Sequence, residues 1–123
     1  MSSMVRFSSI TLACPDPGRL AAFYADITGG EVTFVHEIEW ASMRCEGARI
    51  EFMGVDDYRP PRWPEDSSLV HLDFHVEDLE QGAELVERAG ARLFEHQPNA
   101  AHCLVFADPD GHPFCLSLID EVG

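Results

Sequence analysis

The sequence predicts an α+β fold in which one βαβββ module follows another, and three observations predict it. Helix-start signals recur at Cys14-Pro15-Asp16-Pro17 and at Glu77-Asp78, each preceded by a run with strand-like alternation. Each helical pattern is closed by glycine, Gly29-Gly30 in the first half and Gly90 in the second, and three short strand-like runs follow each. Superposing Asp16 on Asp78 gives an offset of 62 that lays Ser9 on His71, Ile10 on Leu72 and Leu12 on Phe74.

In the first half, Val5 to Ala13 reads as a strand with Ile10 and Leu12 on one face and Ser9, Thr11 and Ala13 on the other. Asp16 is a good N-cap and Pro17 suits the first helical position. Leu20, Phe23, Tyr24 and Ile27 then fall at i, i+3, i+4 and i+7, an apolar stripe fit to pack on a sheet. Strands are expected over Glu31–Glu37, Trp40–Cys45 and Ile50–Val55, with Gly47 in the last turn.

Residues 56–67 differ in kind. Pro60, Pro61 and Pro64 forbid both helix and central strand, yet Tyr58, Arg59, Arg62 and Trp63 are types that anchor ligands or partner chains. The segment is expected to be a linker that serves as a lid or an interface.

The second half opens on Val70-His71-Leu72-Asp73-Phe74-His75-Val76. As a strand it carries Val70, Leu72, Phe74 and Val76 on one face and His71, Asp73 and His75 on the other. A helix follows with Leu79, Ala83, Val86 and Gly90 on its packing face, and then strands over Arg92–His96, Ala101–Ala107 and Pro113–Ile119. Asp108-Pro109-Asp110-Gly111 is a type I turn signature, with Pro second and Gly fourth. The modules span about 5–55 and about 68–119 of a single domain covering residues 1–123.

Ile50-Glu51-Phe52 matches Phe114-Cys115-Leu116, each with apolar flanks and a central residue facing the other way. Ser9, Glu51, His71 and Cys115 therefore occupy equivalent positions on the polar side of the strands. They are expected to converge in one cavity, with Asp73 and His75 further along its wall. Met53 adds a soft apolar surface to the Glu51 face; Trp40 and Phe106 extend it if they face the same way. His36, His96 and His102 have no evident partners and read as surface histidines.

Composition narrows the function classes. The 123 residues suffice for one domain with a real core. Lys plus Arg total 8 against 22 Asp plus Glu, and a net charge of -14 repels phosphate backbones and anionic lipid. No nucleic-acid or membrane partner is expected. The sequence has no apolar run long enough to cross a membrane, and the start Met1-Ser2-Ser3-Met4-Val5-Arg6 lacks the features of a secretory signal. Cys14, Cys45, Cys103 and Cys115 are scattered with no Cys-x-x-Cys, so they read as reduced thiols of a cytoplasmic protein.

The sequence resembles the vicinal oxygen chelate superfamily, which includes glyoxalase I, extradiol dioxygenases, fosfomycin-modifying enzymes and bleomycin-binding resistance proteins. The resemblance is carried by Ser9-Ile10-Thr11-Leu12 leading to Asp16 and Leu20-Ala21-Ala22-Phe23-Tyr24, by Ile50-Glu51-Phe52, by His71 leading to Val76-x-Asp78, and by the run from Phe106 to Phe114. It implies strands curled into a partly open mixed sheet around a ligand cleft, and a homodimer in which Trp63 and Tyr58 serve the contact or the lid.

In metal-dependent members of that superfamily the ligands come from the four equivalent positions. Carried over, Glu51 and His71 fit as ligands and as catalytic groups, and a deprotonated Cys115 would be a third ligand, favouring Zn²⁺. Ser9 stands where His, Gln or Glu is usual, and Cys115 where Glu is usual.

The expectation is a protein that binds or processes a small oxygen-rich molecule without a cofactor. Ser9, Met53, Asp73, His75, Cys115, Trp63, Arg59 and Arg62 contact the ligand, with the two arginines meeting an anion. The alternative is a lyase, isomerase or dioxygenase dependent on Zn, Fe, Mn or Ni.

Overall fold

Asp16 and Asp78 set the frame of both halves. In the computed structural model, which describes residues 4–66 and 69–118, each carboxylate caps a helix: Asp16 accepts from the Arg19 N–H at 3.3 Å and Asp78 from the Gln81 N–H at 2.9 Å. The elements run β1 (Ile10–Cys14), α1 (Pro17–Thr28), β2 (Glu31–His36), β3 (Trp40–Cys45), β4 (Ala48–Gly54), β5 (Leu72–His75), α2 (Leu79–Ala89), β6 (Arg92–Leu93), β7 (Cys103–Ala107) and β8 (Pro113–Ser117). This is the expected pair of βαβββ modules, and the contacts divide the chain after Tyr58 into two compact units.

Each module builds one four-stranded mixed sheet, ordered β1-β4-β3-β2 in the first and β5-β8-β7-β6 in the second. In each, the first strand of the module runs parallel to the last, and the other pairs are antiparallel. The duplication extends to register. Ile10 faces Ile50 and Thr11 faces Glu51, while Leu72 faces Phe114 and Asp73 faces Cys115.

The apolar side of each sheet lies under its helix. In the first module Tyr24 of α1 stacks on Phe52 of β4 at 6.0 Å and meets Phe23 edge-on at 4.9 Å, and Leu20, Ala41, Met43 and Ile50 complete this core. In the second, Phe114 takes Phe74 edge-on and Phe106 in a stack, with Val86 and Leu116 also buried. Gly82, not Ala83, is the buried residue in the first turns of α2. A Cβ there would press on Val76 and Leu116 at 3.0 and 3.2 Å, so the helix sits close to the sheet.

Several elements are shorter than the alternation suggests, because a strand exists only where a partner offers hydrogen bonds. The expected strand from Val5 begins at Ile10, where β4 begins to pair with it. The expected strand from Val70 begins at Leu72, so His71 stands just before β5. β2 ends at His36 because Glu37 takes the left-handed conformation, φ 51°. β6 is two residues long, not five. Beyond it the Gln97 amide donates to the Val105 carbonyl and accepts from the Val105 N–H, both at 2.9 Å, taking bonds a longer strand would make. Ser67, Ser68 and Ile119, where expected boundaries fall, lie outside the described residues.

The proline-rich segment belongs with the second module from Arg59 onward. Trp63 meets Phe94 edge-on at 4.9 Å and His96 at 5.4 Å, and Pro60 lies against Gly111. Residues 59–66 thus form a strap packed on their own module.

Gly54 ends β4 where its N–H donates to the Glu39 carbonyl at 2.9 Å, and an added Cβ would run into the Ile38 carbonyl oxygen. Gly54→Ala is expected to lower the unfolding free energy by about 1–3 kcal/mol, read as a lower urea midpoint at unchanged slope. An unchanged midpoint would show that the Ile38–Glu39 turn yields freely.

Candidate functional site

Glu51 is the first polar group to account for, because carboxylates are seldom buried without partners. It is 7% exposed and lies on the face of β4 away from α1, opposite Thr11 of β1 and Ser42 of β3. The Ser42 hydroxyl donates to Oε1 at 2.9 Å, and Arg49 Nε lies 2.9 Å from Oε2. Arg49 also donates from Nη2 to the Ser8 hydroxyl at 2.6 Å. Both oxygens of Glu51 are therefore committed inside the first module. Ser9, just before β1, is half-buried and makes no side-chain hydrogen bond among the described residues.

The same face carries an apolar patch. Trp40 stands opposite Met53, and Phe34 stacks on His36 at 6.4 Å, all four at least partly exposed. Trp40 thus joins the Glu51 face with Met53. Phe106 does not contribute to such a wall: it is fully buried and stacked on Phe114 on the helix side of its sheet.

The second module draws three groups together. His71 Nε2 lies 3.3 Å from Asp73 Oδ1, Asp73 faces Cys115 across the parallel pair, and the ligand atoms of all three lie within 4.8 Å of one another. Cys115 is 7% exposed while His71 and Asp73 reach solvent. Burial pushes the Cys115 thiol up to about 12, helped by the Asp73 charge, the nearby Cys103 and a hydrogen bond to Asp73. At neutral pH the thiol is a protonated donor to the carboxylate. Asp73 therefore sits at the centre of the cluster, not further along a wall. The sequence showed the parity of Asp73 but not its register: it takes the position opposite Cys115 that Thr11 takes opposite Glu51. His75 continues the face opposite Ser117 and is exposed.

Below this cluster the turn between β7 and β8 is fixed by a buried carboxylate. Asp108, 2% exposed, accepts at Oδ1 from the N–H groups of Asp110 and His112, at 2.8 and 3.0 Å. The His112 ring Nδ1 lies 3.1 and 2.9 Å from its two oxygens. The motif thereby sets the start of β8 and the placement of Cys115. Arg59 and Arg62 are exposed, and neither makes an ion pair among the described residues.

The four positions at which metal-dependent relatives would supply ligands make a poor set for a resident ion. Ser9 offers a neutral hydroxyl, Glu51 has its charge balanced by Arg49, and Cys115 would have to give up its proton. The imidazole of His71 is the one ordinary donor among them.

A family model described as "Glyoxalase-like domain" matches residues 9–117. Nothing among curated protein sequences matches. Solved structures with the same fold include a mutant of the fosfomycin resistance protein FosX from Listeria monocytogenes, complexed with Mn(II) and 1S,2S-dihydroxypropylphosphonic acid. It is 20% identical with a TM-score of 0.72, over 96% of this chain and 93% of that one. A glyoxalase/bleomycin resistance protein/dioxygenase family enzyme from Burkholderia phytofirmans PsJN aligns at 15% identity with a TM-score of 0.67, over 89% and 94% of the two chains. A glyoxalase-related enzyme from Fulvimarina pelagi aligns at 20% identity with a TM-score of 0.65, over 92% and 88%.

The Cys115 environment has a consequence at high pH. From the ordinary value of 9.0 to about 12, the folded chain keeps the thiol proton while the unfolded chain loses it. Stability from this group is complete below pH 9 and falls as pH rises, with a slope approaching about 1.4 kcal/mol per pH unit. Urea unfolding stepped through that range should show a shallower decline for Cys115→Ala than for the native chain. Equal declines would mean that the thiol is not held protonated.

Proposed function

The chain belongs to the glyoxalase-like domain family, within the vicinal oxygen chelate superfamily, and we propose that it binds or processes a small oxygen-rich organic molecule without a complete metal site. The observation that carries this reading is the pairing of Glu51 with Ser42 and Arg49, whose guanidinium already balances the charge that a divalent ion would need. Ligand contact is assigned to the polar side of the second module's sheet, His71, Asp73 and His75; in the first module the exposed Met53 and Trp40 offer an apolar contact of their own. If the ligand is transformed, His71 steadied by Asp73 is the group that moves a proton. The diol phosphonate bound by the FosX neighbour supports a ligand with adjacent oxygens.

The second reading is a divalent ion, Zn, Fe, Mn or Ni, held by His71, Asp73 and Cys115. The 4.8 Å spacing of their ligand atoms favours it. It requires the ion to displace the thiol proton of Cys115.

We also propose a homodimer, since the strand edges need cover, with Tyr58 in the contact. A reducing, cytoplasmic setting is supported by four free cysteines. No helix among the described residues is long and apolar enough to cross a membrane.

Elemental analysis of protein purified without a polyhistidine tag distinguishes the two readings. The metal-free reading expects far less than one transition-metal ion per chain and a melting temperature unmoved by chelator. A near-stoichiometric ion that His71→Ala or Cys115→Ala releases would establish the second reading instead. A thermal-shift screen of hydroxy acids, diols and phosphonates should then yield ligands whose effect His71→Ala diminishes. Light scattering is expected to give twice the mass of one chain.

A further inference from the structure

We propose that the first module carries a separate site for a small oxyanion of the carboxylate or phosphate class, built on Arg44 and Arg49. These residues stand directly opposite each other on adjacent antiparallel strands, Arg44 on β3 and Arg49 on β4. Like charges at such positions destabilise a sheet, because the side chains leave the backbone only about 5 Å apart. All eight basic residues of this acidic chain are arginines, and two of them are spent on this unfavourable pairing. An anion between the guanidinium groups turns the repulsion into two charge-assisted contacts.

The surroundings suit that role. Arg44 and Arg49 line an open pocket of ≈ 360 Å³ together with Phe7, Ser8 and Gly47. Arg49 is already oriented by two contacts, Nε on Glu51 and Nη2 on Ser8, which leaves its other N–H donors uncommitted. Its charge is matched by Glu51. Arg44 makes no ion pair among the described residues, although Glu31 faces it across β2 and Glu46 follows in the turn. Gly47, with φ 80° and nothing within 4 Å of the place a Cβ would take, leaves the turn side of the pocket clear. Phe7, 85% exposed, offers an apolar surface for the organic part of a carboxylate. The net charge of -14 disfavours polyanions, so the fitting ligand is a small mobile one.

The test is a heteronuclear NMR titration that follows backbone amides and arginine side-chain Nε–H groups, with inorganic phosphate and benzoate added separately at constant ionic strength. Saturable shifts at Arg44, Arg49, Ser8 and Gly47 are expected with at least one anion, and the tighter one defines the class. Arg44→Ala, an exposed change whose fold the same spectra verify, should weaken binding about tenfold or more. Arg88→Ala, on α2 of the other module and paired with Glu84, should bind as the native chain does. The proposal fails if neither anion gives saturable shifts beyond those of chloride, or if Arg44→Ala leaves affinity unchanged. Because His71 and Asp73 take no part, either outcome is independent of events at that cluster.

Discussion

The parallel pairing of the first and last strand in each module is the constraint on which the rest depends. Side chains alternate across a strand, so fixing Ile10 opposite Ile50 also fixes which residues lie under α1 and which face away. Phe52, Met43 and Ala41 then meet Tyr24 and Leu20, while Glu51 and Ser42 are left on the other face. The same holds for Leu72 opposite Phe114. A shift of one residue would bury Asp73 and Cys115 beneath α2 and expose Phe74 and Leu116, and no hydrogen bond could repair that loss.

Equivalent positions in the two modules have been put to different chemical use. In the first, a buried carboxylate is paired with Arg49 and Ser42. In the second, the equivalent position holds a thiol kept neutral by burial and by the carboxylate opposite it. Each arrangement satisfies its buried polar group from within its own module. The carboxylate has its charge balanced by a guanidinium, and the thiol holds a proton against the carboxylate opposite it.

Much of this was legible in the sequence. The two Asp caps, the stripe of Leu20, Phe23 and Tyr24, and the offset that lays His71 on Ser9 depend on local periodicity and on turn chemistry, which a sequence carries openly. The facing of Glu51 and Cys115 followed from parity. What escaped depends on distant pairing. Nothing local says that Gln97 will take the backbone groups of Val105, that Arg49 will claim Glu51, or that Trp63 will lie on Phe94 and His96. Asp73 lay between these cases. Its parity was plain, but its place opposite Cys115 needed the register, which the apparent slack between the two matched triplets obscured.

The pairing of Glu51 with Arg49 shows how far a shared fold constrains chemistry. A buried carboxylate is costly unless paired, and removing one partner of such a pair costs about 3–5 kcal/mol. Arg49 is partly exposed, so the cost here falls below that of a fully buried pair, yet the direction is the same. Any ion recruited to Glu51 would compete for its charge with a guanidinium already held on its other side by Ser8 and set beside Arg44. In the first module the partner of Glu51 is itself an arginine set beside another arginine, a feature invisible if ligand positions alone are compared. The second module has no such cation beside Asp73 among the described residues, and its barrier is the single thiol proton of Cys115. The two halves, alike in strand register, therefore differ in which charge their polar faces can accept. The Arg44–Arg49 side presents two guanidinium groups, and the His71–Asp73 side presents a carboxylate beside an imidazole.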